Sequence, residues 1–224
     1  MKYFNRSHAP HSQSLIPRAR QHQSLWTLLG LLAATLLGGC GITVYPDNPL
    51  LQGVTDKTPT ACVYFIRPAL IKPKGFADKP MTVTFEGEKL LTIDQGFYTM
   101  LKMKPGKGDV ITHSMTKFTT RPEPIKVARK REYNFIAGKT YFIYLKRIDD
   151  GFRGVFYDPA PASLAEAKKV ISYYDVSARG AARDAPIDEI KEVPDAPPAG
   201  PLKPALPEDL YPHYHYLKKK PVVE

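Results

Sequence analysis

The sequence predicts a mainly β protein: an antiparallel β-sandwich with one short C-terminal helix and a Pro-rich extended tail. Three observations lead there. Between residues 60 and 160, β-prone runs follow one another with turn signals roughly every ten residues, the spacing of a sandwich or small barrel. No helical period long enough to cross between parallel strands interrupts them. From residue 186 onward, nine of 39 residues are Pro, too many for a segment that buries its own core, so an extended, polyproline-like course is expected.

Each element has a local reason. Residues 61–67 (ACVYFIR) are rich in β-branched and aromatic side chains, and Pro68, with no N–H for a ladder, ends the run. Residues 69–79, with Pro73 and Gly75, read as a loop. Residues 81–86 (MTVTFE) alternate, and Gly87 turns the chain back into 89–94 (KLLTID) as a hairpin. Residues 96–102 follow. A turn is expected at Pro105-Gly106-Lys107-Gly108, then an alternating run over 109–115. Past Pro122 and Pro124, residues 125–135 form a more polar strand. Gly138 turns the chain into 140–148 (TYFIYLKRI), and 152–157 closes the set. Over residues 161–173 the period becomes helical. Leu164, Ala167, Lys168 and Ile171 share a face, and Ser163 with Glu166 makes a capping box. A last strand over 169–176 is the alternative.

The N-terminus carries a different kind of signal. Lys2, Arg6, Arg18 and Arg20 precede an apolar run over residues 25–37, and no acidic residue occurs before Asp47. At 13 residues the apolar segment is short of the ~20 that span a bilayer. It ends in Leu37-Gly38-Gly39-Cys40. Basic lead, short apolar core and small residues at a cleavage point describe a secretory signal peptide, and the final four residues look like a bacterial lipobox. That signal implies cleavage between Gly39 and Cys40 and acylation of the Cys40 thiol, palmitate included. Two or three acyl chains at roughly 0.8 kcal/mol per buried CH₂ then anchor the protein stably. Gly41 in place of an Asp after the Cys points to the outer membrane of a diderm cell, facing the periplasm. The expected division is a signal peptide over 1–39, a lipidated tether over 40–59 with Pro46, Pro49 and Pro59, the sandwich over 60–160, helix and connector over 161–185, and the tail over 186–224.

Composition narrows the function classes. With 43% hydrophobic and 24% charged residues, neither a polytopic membrane protein nor a chain disordered throughout is expected. Two Cys exclude a disulfide scaffold and a four-Cys zinc site. The net charge of +10 is partly signal peptide. Loss of residues 1–39 removes four basic residues and no acidic one, leaving +6, so no nucleic-acid footprint is read. With Cys40 lipidated, Cys62 has no partner in the chain and is expected as a small buried hydrophobe.

Catalytic signatures are sparse. Gly138-Lys139-Thr140 resembles the end of a phosphate-binding loop, but Tyr133 stands where that pattern needs Gly and a strand follows. G-x-S-x-G and H-E-x-x-H do not occur. His113 lies mid-strand. His213 and His215 alternate in the tail, two ligands without a third. Asp94, Asp149, Asp150 and Asp158 suit turns. The densest basic cluster is residues 126–131 (KVARKR). It is either a solvated edge strand or a contact for anionic head groups through Lys126, Arg129, Lys130 and Arg131. Neither catalytic residue, metal nor cofactor is expected.

The order of lipobox, Val63-Tyr64-Phe65-Ile66-Arg67-Pro68, a hairpin around Glu86-Gly87-Glu88, Gly96-Phe97-Tyr98, Pro105-Gly106 and Ala137-Gly138-Lys139-Thr140-Tyr141-Phe142 resembles bacterial lipoproteins with a DUF2846-type domain. The resemblance covers roughly residues 60–160. It implies a transthyretin- or immunoglobulin-like sandwich and no enzyme activity, and it does not extend to the helix or the tail. The function expected is a lipid-anchored cell-envelope protein acting as a non-enzymatic binding or assembly module, held to the membrane by its N-terminal lipid, with residues 186–224 available to an envelope partner. The alternatives are a ligand-binding or enzymatic domain with its site in a sandwich-end loop such as 68–80, and a structural tether between membrane and wall.

Overall fold

The computed structural model describes residues 41–69, 80–116, 123–150 and 154–206. Eleven strands and one α-helix are found among them: β1 (Ile42–Val44), β2 (Ala61–Arg67), β3 (Met81–Phe85), β4 (Glu88–Ile93), β5 (Phe97–Met103), β6 (Gly106–Thr116), β7 (Ile125–Phe135), β8 (Thr140–Asp150), β9 (Gly154–Ala162), α1 (Leu164–Tyr173), β10 (Ser177–Ala178) and β11 (Lys203–Pro204). They form two sheets, ordered β1-β4-β3-β6-β7-β11 and β10-β5-β2-β8-β9. Apart from the parallel pairs β2–β8 and β10–β5, neighbours are antiparallel. The β2–β8 pair needs no crossover helix, because the chain between them builds most of the first sheet.

The expected strands lie within one to a few residues of these bounds, and local chemistry explains the turns. Glu86 (φ 50°) and Gly87 (φ 86°) join β3 to β4, the two positive-φ positions of a type I′ hairpin turn. The register slips between Val83 and Thr84, and this bulge lets Leu90 and Leu91 both be buried. The expected turn at 105–108 is shorter than predicted, since Gly106–Gly108 already pair with β7. Gly108 is needed there because the Phe85 and Glu86 side chains occupy the space of a Cβ.

Val63, Phe65, Met81, Val83, Leu91, Ile93, Tyr133, Phe135 and Ile143 fill the space between the sheets. A second cluster lies on the outer face of the second sheet, where Tyr64, Ile66, Tyr98, Met100 and Phe142 are covered by Ala167 and Ile171 of α1 and by Val176, Ala182 and Ile187. β2 is therefore buried on both faces, which explains its nearly continuous apolar sequence. The capping box forms as expected: Glu166 N donates to Ser163 Oγ (3.2 Å) and Ser163 N to Glu166 Oε2 (2.7 Å). Residues 161 and 162 end β9 and do not begin the helix, and residues 169–173 are helical, not strand.

The expectation of a tether over residues 40–59 is corrected in its described part. Residues 42–58 are not a free tether. β1 pairs with β4, the Asn48 side chain donates to the carbonyls of Glu88 (3.3 Å) and Lys89 (3.1 Å), and Leu50 enters the core. The described part of the Pro-rich segment is also bound. Ile187 is fully buried, Gly200 N donates to Glu132 O (2.8 Å), β11 pairs with β7, and Ala205 N donates to Ala128 O (3.0 Å). Pro is tolerated there because β11 is an edge strand. Residues 207–224 lie outside the described residues.

Candidate functional site

A groove of about 500 Å³ runs between α1 and the outer face of β8 and β9, a volume in the range of small-ligand pockets. Strand alternation on β8 turns Tyr141, Ile143 and Leu145 toward the inter-sheet core and leaves Tyr144 and Lys146 to line the groove. Ala160 and Ala162 of β9 stand opposite Tyr144 and Phe142, and their small side chains leave the floor open. Lys169, Tyr173 and Tyr174, toward the C-terminal end of α1, line the opposite wall.

The lining is aromatic and basic. Tyr173 and Tyr174 meet edge to face at 4.7 Å between centroids, and Tyr173 is 68% exposed. Burial raises the Tyr144 phenol pKa, with the neighbouring Tyr174 and its hydrogen bond adding to the shift, so Tyr144 is a neutral donor. Lys146 and Lys169 are exposed. Glu166, the carboxylate in the groove, caps the helix: hydrogen bonds from the Ser163 backbone and hydroxyl hold its pKa below the usual carboxylate range. Two ammonium groups and three phenols beside an apolar floor suit a ligand that combines negative charge with an apolar or ring-bearing part.

The expected head-group cluster is not a shared surface. Lys126 is exposed. Arg129 is 4% exposed, with its guanidinium 4.0 Å over the Phe156 ring. Lys130 pairs with Asp109. Arg131 binds both carboxylate oxygens of Asp158 (2.6 and 2.8 Å) and donates to Gly200 O (2.9 Å). The reason is alternation: β7 turns 129 and 131 toward β9 and 126 and 130 away. The two Arg residues, together with Tyr133 OH donating to Pro159 O (2.6 Å) and Thr112 OH donating to Tyr157 O, form a polar seam that closes the sandwich between β6–β7 and β9.

Other residues singled out in the sequence have structural partners. His113 is hydrogen-bonded to Thr84 Oγ1 (3.0 Å). Cys62 is a free thiol, half-buried against the outer cluster. Asp149 faces Arg147 at 3.5 Å. Gly138 (φ 74°) makes the turn into β8. Among the described residues no three His, Cys, Asp or Glu side chains come together as metal ligands, and no helix is long and apolar enough to cross a membrane. Gly39, Cys40, His213, His215 and most of the 68–80 loop lie outside the described residues. The groove residues were missed in the sequence; the available signal was Tyr173, an aromatic off the apolar stripe of a capped helix.

Comparisons with protein-family models, with curated proteins and with solved structures find no match. The DUF2846 resemblance rests on the quoted motifs alone.

Proposed function

We propose that this protein is a lipid-anchored cell-envelope protein, its lipobox supplying the acceptor thiol, whose β-sandwich acts as a non-enzymatic binding module. The observation that carries the binding reading is the groove. Its tyrosines and lysines provide stacking, hydrogen-bond donors and positive charge on one rigid strand and one rigid helix. The anchored reading is supported by Leu37-Gly38-Gly39-Cys40 after a basic lead and a short apolar core. A wall tether is less favoured, since residues 42–58 lie along the domain and give no reach. A protein partner along the tail is left with residues 207–224, because much of 187–206 already contacts the fold.

Metabolic labelling with an alkyne palmitate analogue tests the anchor. The wild type should be labelled and membrane-bound, and Cys40→Ala should lose both properties. An unlabelled wild type overturns the anchored reading. Crosslinked pull-downs of the full mature chain and of a chain ending at Leu206 test the tail. A partner lost on truncation supports the assembly role, and its retention removes it.

A further inference from the structure

The topology gathers one end of both sheets around the point where the chain leaves for Cys40. In the first sheet, Ile42 pairs with Ile93, Ile93 with Met81, Thr82 with His113, and Thr116 with Ile125. In the second, Arg67 and Ser177 pair with Phe97, and Ile66 with Tyr144. The two sets are tied together. Asp94 N donates to Gly41 O (2.7 Å), Arg67 Nη1 donates to Ile93 O (2.7 Å), and Gly41 packs against the Phe97 ring. β8 continues past the end of β2 to Lys146 at this same end. Ser163 and Leu164 lie near Thr140 and Phe142, while Lys169, Tyr173 and Tyr174 lie near Tyr144 and Lys146. α1 therefore runs toward this end and brings its two tyrosines there.

Cys40 is one residue from Gly41, about 3.8 Å between Cα atoms, and Gly41 is already bonded to the fold. A lipid on Cys40 leaves no slack, so this end is held at head-group level. Tyrosine is enriched at that depth because its ring is apolar and its hydroxyl polar. Lysines there gain from the negative potential of anionic lipid.

We propose that the groove between α1 and β8 takes the head group of an anionic phospholipid, with Lys146 and Lys169 on the phosphate and Tyr144, Tyr173 and Tyr174 at the boundary with the acyl region. The proposal deepens the binding reading and takes its orientation from the anchored one.

The test uses the chain from residue 40 onward, the compact unit of the fold, with Cys40→Ser so that no lipid is attached. Binding is measured by co-sedimentation with phosphatidylcholine vesicles, with and without about one third phosphatidylglycerol. This protein, otherwise unchanged, should bind only the anionic vesicles, and less as salt rises. Lys146→Gln with Lys169→Gln should weaken binding roughly 30-fold, from about 1 kcal/mol per lysine at the surface. Tyr173→Ser should weaken it too. Lys57→Gln with Lys107→Gln makes the same charge change at the opposite end and should leave binding intact. Unchanged thermal midpoints establish that the variants are folded. Equal loss from both lysine pairs, or none from the first, overturns the proposal. Full displacement by soluble glycerol phosphate, with no effect of Tyr173→Ser, assigns the groove to free phosphate compounds and also overturns it. Because this protein carries no lipid, failure here leaves the palmitate labelling result standing, and failure of labelling leaves this assay readable.

Discussion

Residues 126–131 and the groove lysines make opposite cases. The first holds four basic residues in six positions, yet three of them are buried or paired with β9, Asp109 and Gly200. Lys146 and Lys169 are far apart in sequence and face the same groove. Density of charge along a strand says little about a charged surface, because alternation sends neighbours to opposite faces. A surface is made by whichever elements the fold brings side by side.

The comparison can be broken most severely at the β7 edge. A chain ending at Asp184 loses β11 and the buried Ile187, and cooperative unfolding in urea should be abolished or strongly weakened. Ile187→Ala alone should cost about 3 kcal/mol. Arg131→Ala should cost a similar amount, about 3 kcal/mol, because the Asp158 side chain is 7% exposed and would be left without its bidentate partner. Lys130→Ala should cost under about 1 kcal/mol, since both members of its pair are about one-third exposed.

On the groove side the expected effects on stability are smaller. Ser163→Ala removes the cap of α1 and should cost about 1 kcal/mol. The cap should also fade in acid. The folded Glu166 pKa is depressed, so its contribution is present above the unfolded value and is lost as pH falls through the folded one. Glu166→Gln should flatten that acid limb in a plot of urea midpoint against pH. Lys146→Gln with Lys169→Gln should change stability by less than about 0.5 kcal/mol while changing vesicle binding.

The outer cluster under α1 has an alkaline signature. The Tyr64 phenol, which donates to Ala185 O (2.9 Å), is pushed up to about 12 by burial, with Cys62 and Tyr98 adding to it. Neutral Tyr64 supports the fold below the unfolded value of 10, and that support is lost as pH rises toward 12. Tyr64→Phe should shift the alkaline limb of the urea midpoint to higher pH, and an unchanged limb would assign that titration to other groups.

Local chemistry alone determined the strand runs, the Glu86-Gly87 turn and the Ser163–Glu166 cap, since each depends on residues within a few positions of one another. Sequence also indicated a Pro-rich extended course after residue 186. Tertiary structure decided the parallel β2–β8 pairing, the docking of 42–58 and 187–206, the burial of Arg129 against Phe156, the pairing of Arg131 with Asp158, and the groove. Each of these joins residues far apart in the chain, where the outcome depends on register and on which face a strand presents. A short pattern of side chains carries no record of either. The same limit hid Tyr144 and Lys169: their meeting follows from α1 lying along β8, which their own neighbours in sequence do not specify.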